Sequence, residues 1–312
     1  MGLSKSFMAM YLCVPLKLNP WKRFGMYDAS KAVLLIDAGN TRIKFVYYES
    51  LSCRTPEGLP KSNKFILTHD EIERLSERLG QFNKKPTLVI GVNVAGSIIA
   101  AKISKQLRLH HGAGTYEQYW LSSQPQLLHL KNAYIDASQL GSDRWLAMLG
   151  LSVHEKAQHR PVMLVSFGTA TTVDTVYQSE FLGGLIFPGL QMMADSLAQG
   201  TAQLPAIKWG KSSLPMTFPL STADALESGM IAAQAAAVLR QWTCVVEQYG
   251  LNPVVFYAGG AADYVVPELH RLLAEQIRLH GFDTMELVPF DDPVLAGLLV
   301  YAQYCLQDSV AH

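Results

Sequence analysis

The sequence predicts an α/β protein built from two similar halves, on two observations. Stretches that read as buried strands alternate with stretches that read as helices from about residue 33 onward, as in layered α/β architectures. One local plan also occurs twice: an apolar strand, a glycine turn carrying small hydroxyl or amide residues, then a β-branched strand. It stands at VLLIDAGNTRIKFVYYE (33–49) and again at LVSFGTATTVDTVY (164–177). Setting Gly39 against Gly168 aligns Asp37 with Ser166 and Thr41 with Ala170. A repeat of this length implies halves that each bring a hairpin to one cleft. The expected division is a flexible extension over 1–32, a first half over 33–158 and a second half over 159–312.

Composition supports a folded, globular protein. Of 312 residues, 49% are apolar and 17% charged, which supplies a sizeable core and argues against disorder. Formal net charge is zero and no basic run or basic-aromatic stripe is present, against a nucleic-acid binder. Cys13, Cys53, Cys244 and Cys305 lie far apart with no CxxC spacing. They fit free thiols in the cytoplasm better than a disulfide frame or a zinc site.

The extension has no clear periodicity. Its apolar run, 7–16, is too short to span a bilayer. Lys17, Lys22 and Arg23 follow that run, unlike a signal peptide. MGLSKS matches the myristoylation pattern at Gly2 only formally, and Met26 is an alternative start.

The first hairpin pairs an apolar strand, 33–37, with a β-branched and aromatic one, 43–48. In the turn between them Gly39 supplies free φ and Asn40 tolerates the left-handed region. Such a turn points backbone N–H groups outward, with Thr41, Asn40 and Lys44 close by. That is a site for a polyphosphate, and Asp37 at the strand end is placed to hold its Mg2+ through water. Taken alone, the stretch also reads as an ordinary hairpin. The second copy favours two turns gripping the β- and γ-phosphates of a nucleotide from both sides.

A strand is expected near 65–67, a charged helix over 71–81 opened by Thr68, a buried strand over 86–93, a helix over 94–109 and a strand near 115–121. Then comes YIDASQLGSDRW (134–145), followed by an amphipathic helix from Asp143. A carboxylate in a first helical turn is favoured as an anion by the N–H groups there. It can accept the proton of an alcohol attacking phosphorus, while Arg144 binds a substrate carboxylate through paired hydrogen bonds. The competing reading is a helix cap followed by a solvated arginine.

In the second half, FLGGLIFPG (181–189) suggests a strand and a bend, 190–197 a short helix, and 198–219 a loop-rich active-site rim. A long alanine-rich helix over 225–249 is closed by Gly250, and its small face suits close packing, including across a dimer interface. Thr222, near its start, is either a cap or a substrate ligand. The strand 253–258 runs into Gly259 and Gly260, whose backbone can lie flat under an adenine or ribose. A strand over 285–289 and an apolar helix over 293–307 end the chain.

DAGNT (37–41), GSDR (141–144), GTATTVD (168–174), GGLIFPG (183–189) and AGGAAD (258–263) stand in this order. Together they resemble type III pantothenate kinase, the Bvg accessory factor family, from about residue 33 to the C-terminus. The resemblance implies the duplicated actin-like ATPase fold of acetate and sugar kinases, Hsc70 and actin. It implies transfer of the γ-phosphoryl of ATP to a hydroxyl of pantothenate, giving 4'-phosphopantothenate, the opening step of coenzyme A synthesis. Asp37, Ala38, Gly39, Asn40, Thr41, Arg42, Ile43 and Lys44 would form the first phosphate loop, with Thr169 also on ATP. Tyr134, Gly141, Ser142, Asp143, Arg144 and Thr222 would bind pantothenate, Asp143 being the proton acceptor. Members of the family are homodimers that use Mg2+ and a monovalent cation, K+ or ammonium.

Ser166 stands where the family has the Asp that binds the monovalent cation, which predicts a weakened or absent K+ requirement. The long extension also departs from the family. Two other readings stay open at this point: a non-catalytic transcription-accessory protein, and another kinase or polyphosphate phosphatase of the same superfold. Asp37, Asp143 and Arg144 count against the first, and GSDR with Tyr134 against the second.

Overall fold

Val33–Ala38 (β1) and Ile43–Tyr48 (β2) form the first hairpin in the expected antiparallel register. The computed structural model describes residues 30–52, 61–112, 116–201, 203–207, 209–210 and 214–308. Gly2, Cys13, Met26 and the rest of the extension through residue 29, and Cys53, lie outside the described residues.

The first sheet adds Asn63–Leu67 (β3), Leu88–Asn93 (β4) and Glu117–Leu121 (β5), in the order β3-β2-β1-β4-β5. The charged helix expected over 71–81 divides into a 3-10 segment, His69–Arg74, and a short α1, Leu75–Leu79. Its start is as expected: the Glu71 carboxylate accepts from the Thr68 N–H at 3.0 Å. The next helix, α2, is Ser97–His111, not 94–109. The Asn93 amide takes up the turn, accepting from Ala95 N–H and donating to Gly96 C=O, so the helix starts three residues late.

Val162–Phe167 (β8), Ala170–Tyr177 (β9) and Glu180–Pro188 (β10), then Val254–Ala258 (β11) and Leu287–Pro289 (β12), repeat the first sheet. Their order, β10-β9-β8-β11-β12, matches β3-β2-β1-β4-β5 strand for strand. Two short strands that the sequence did not announce, Gln126–Leu127 (β6) and Leu130–Asn132 (β7), extend this second sheet at its β10 edge. β6 and β7, which precede residue 158, thus belong to the second sheet.

Five helices complete the described chain: Ser142–Ser152 (α3), Leu190–Gly200 (α4), Thr222–Tyr249 (α5), Ala262–His280 (α6) and Pro293–Asp308 (α7). The side-chain alternation of β1 sends Leu34 and Ile36 to an outer core with Leu75, Leu79, Ile103 and Leu107. Val33 and Leu35 face a central core with α3 and α7. β8 divides likewise, Leu164 to that central core, Met163 and Val165 to an outer one with Trp242 and Leu269. The two sheets thus sandwich α3 and α7.

Those helices touch at paired glycines. A Cβ on Gly150 would lie 2.9 Å from the Pro293 carbonyl, and one on Gly297 would lie 1.8 Å from the Leu146 carbonyl. Each glycine faces the carbonyl four residues before its counterpart, so the contact follows the duplication.

Candidate active site

The two glycine turns face each other. Gly39, Asn40, Thr41 and Lys44 from the first hairpin, and Ser166, Gly168, Thr169 and Ala170 from the second, line one cleft of about 650 Å3 with Asp143 and Arg144. Each turn closes on itself: Gly39 N–H donates to Arg42 C=O at 3.1 Å, and Gly168 N–H to Ala170 C=O at 3.2 Å. A ring nitrogen of His69 braces the first at Gly39 C=O, 2.9 Å away. Gly259, at φ 103°, packs against the second, where a Cβ would sit 2.3 Å from Phe167 C=O; only glycine meets both demands.

Asn40, Thr41 and Arg42 are exposed at the lip. Ala38 and Ile43 are fully buried. They pair across the hairpin with their side chains in the outer core, so these two members of the expected phosphate loop offer the cleft no side chain. The alternation that hides them turns the next cross-strand pair, Asp37 and Lys44, the other way.

Asp37 is the electrostatic centre of the site. Burial pushes its carboxyl from 3.8 up to about 6; Lys44 opposes the rise, and Asp143 and Asp292 add to it. Lys44 Nζ lies 3.9 Å from Asp37 and 3.0 Å from Asp292. Lys64 also pairs with Asp292. Asp292 thus ties β2 and β3 to the second half, and it does so at φ 49°, unusual for a non-glycine residue. Neither Lys64 nor Asp292 was legible as a site residue; nothing local marks them.

Asp143 sits in the first turn of α3, as expected. Its Oδ1 accepts from the Arg144 N–H at 2.8 Å. A Cβ on Gly141 would approach that oxygen to 2.8 Å, so glycine leaves the carboxylate room to fold back. Ser142 starts α3 and lies outside the cleft lining.

Arg144 needs a correction. It is neither solvated nor holding its paired edge free for a substrate. It is 8% exposed. Its Nε donates to both carboxylate oxygens of Asp174 at 3.2 Å, and Nη2 also pairs with Asp174. Nη1 donates to the Tyr134 hydroxyl at 3.2 Å. Burial pushes the Asp174 carboxyl up while Arg144 and Thr172 pull it down. Asp174 closes the GTATTVD motif and is the one charge in its strand, but the sequence assigns it no role.

Of the two readings of Thr222, the cap is not realised. The cap of α5 is Ser221, whose hydroxyl accepts from Asp224 N–H at 3.1 Å. Thr222 follows it, exposed and outside the cleft lining.

A recess of about 330 Å3 adjoins the cleft through Gly168 and Thr169 and is walled by Arg42, Trp209, Gly260 and Tyr264. The Trp209 and Tyr264 rings are 5.2 Å apart. The rim loop expected over 198–219 supplies Trp209. Cys244 and Cys305 carry no disulfide.

Among the described residues, no three His, Cys, Asp or Glu side chains converge as a metal cage. Asp37 still fits Mg2+: its hard oxygen suits the ion, and a cation there would offset the burial and the neighbouring carboxylates that raise its pKa. Ser166 offers a monovalent cation a neutral hydroxyl only.

Two sheets of identical strand order, each presenting a glycine turn to a shared cleft, define the actin-like ATPase fold. Residues 33–243 match the family model of type III pantothenate kinase. Type III pantothenate kinase from Bordetella petrii is 40% identical over 86% of this chain and 97% of its own length. The Bordetella pertussis protein of the same name is 36% identical over 86% and 97%. The chain belongs to the type III pantothenate kinase family. Solved structures superpose loosely, with a TM-score of 0.48 for an exopolyphosphatase from Cytophaga hutchinsonii at 8% identity, covering 88% of this chain and 99% of that one.

Proposed function

We propose that this chain phosphorylates pantothenate with ATP, giving 4'-phosphopantothenate and ADP. The observation that carries the reading is the convergence of both glycine turns and Asp143 on one cleft. The adenosine enters the recess beside Trp209 and Tyr264, and the phosphates run between the turns at Gly39 and Gly168. Lys44 supplies positive charge to the phosphates. Asp37, through water, would hold Mg2+, which when bound neutralises phosphate charge. The Asp143 carboxylate accepts the proton of the pantothenate hydroxyl as its oxygen bonds to the γ-phosphorus and the bond to the β-phosphate oxygen breaks. Such transfer depends on position and charge rather than on a covalent intermediate. Arg144 holds the acceptor, and Tyr134 supports it through the hydroxyl that accepts from Arg144 Nη1.

The protein works in this reading as a cytoplasmic homodimer on small molecules, not on nucleic acid. No helix among the described residues is long and apolar enough to cross a membrane. Phe218 and Leu220, 83% and 96% exposed just before α5, supply apolar surface for a second copy. ADP release measured with and without pantothenate tests the proposal. Release that requires pantothenate is the expected result. No release indicates a non-catalytic accessory protein, and release without pantothenate a phosphatase; either overturns it.

A further inference from the structure

Asp174 has no role in the reaction as written, yet it stands on the cleft wall at 1% exposure with Arg144 wrapped onto it. Four separate parts of the chain build the arrangement. β9 contributes the carboxylate and α3 the guanidinium. The segment before α3 brings Tyr134, whose hydroxyl accepts from Arg144 Nη1 at 3.2 Å. β10 contributes the Phe181 ring, 5.9 Å below the guanidinium and 5.5 Å from the Tyr134 ring. Opposite Asp174 in the ladder is Gly184, where a Cβ would come within 2.4 Å of the carboxylate. A larger residue there would displace it.

Stability does not account for such a pair. Burying two charges costs desolvation that their attraction only partly repays, and apolar residues of similar size often do as well. What the pair supplies is orientation. Nε, one N–H of Nη2 and one of Nη1 are engaged; one N–H on each terminal nitrogen remains. Arg144 itself lines the cleft beside Asp143.

We propose that Asp174 is a positioning residue that clamps the Arg144 guanidinium so that its remaining N–H donors receive the carboxylate of the acceptor. The proposal rests on the reading of Arg144 as an acceptor-binding residue. Selectivity for an anionic acceptor is then set by a residue that does not touch it.

The test is steady-state kinetics of the full-length protein with pantothenate and with its neutral carboxamide. Asp174→Asn should raise KM for pantothenate roughly 10- to 100-fold, the scale of a charge-assisted hydrogen bond. KM for ATP should stay unchanged, and the preference for pantothenate over the amide should collapse. Asp174→Glu should recover part of that preference. Asn leaves a buried arginine unpaired and threatens folding, so Arg144→Lys is the second variant. It keeps the charge, loses the planar fork, and should lose the same preference. Retained preference in a folded Asp174→Asn, or in Arg144→Lys if the first does not fold, overturns the inference. So does an equal rise in both KM values with selectivity intact, which marks a purely structural pair. Absence of pantothenate-dependent turnover in the unmodified protein would instead sink the proposed reaction.

Discussion

At Asp37 the cleft works against the fold. Its carboxyl titrates near 3.8 when unperturbed and is pushed up to about 6 in the folded chain by burial, against the pull of Lys44. A carboxyl with a raised native pKa holds more protons folded than unfolded between those two values. Stability therefore falls as pH rises from about 4 to about 6 and stays reduced above that window. A displacement of about two units corresponds to ~3 kcal/mol. The side chain is only 13% exposed, so solvent screening does not erase the effect. Asp37→Asn keeps the shape and removes the charge. It should stabilise the nucleotide-free protein by up to ~3 kcal/mol at pH 8, about 5 °C in Tm for a chain of this size. The gain should vanish as pH approaches 4, while kinase activity is lost at every pH. Thermal melts in EDTA across pH 4–8 measure this. A variant that melts lower than the unmodified protein at pH 8, or whose gain is the same at every pH, refutes the reasoning.

Three further outcomes follow from the same geometry. Asp143→Asn should lower kcat by roughly 10²-fold or more, as when a general base is removed, with ATP binding retained in a nucleotide titration. Gly297→Ala puts a methyl group 1.8 Å from the Leu146 carbonyl; overpacking of this kind costs about 1–3 kcal/mol or more, so the melting temperature should drop by several degrees. Because Ser166 gives a monovalent cation no charged ligand, turnover should depend weakly or not at all on K+ and ammonium, and Ser166→Asp should strengthen the dependence; a strict requirement in the unmodified protein would contradict this.

The sequence by itself determined the repeated hairpins, the alternation of strands and helices and the site of Asp143. Each is written in a short window: a continuous apolar run along Val33–Ile36, a glycine at each bend, a helix start within GSDR. It also announced α5 and its end at Gly250, although it began the helix at 225 rather than 222 and weighed Thr222 rather than Ser221 as the cap. Only the tertiary structure decided which distant residues meet. β6 and β7 are too short to be read without β10, the strand far along the chain on which β7 pairs. The Ala38 and Ile43 side chains leave the phosphate loop because the strand pleat sends them into the outer core. Asp174 takes the paired edge of Arg144, leaving it one N–H on each terminal nitrogen, and Lys44 and Lys64 are joined by Asp292. A local window records propensity and periodicity, but contacts across the halves depend on how two sheets close around α3 and α7, and that is fixed by packing rather than by neighbours in sequence.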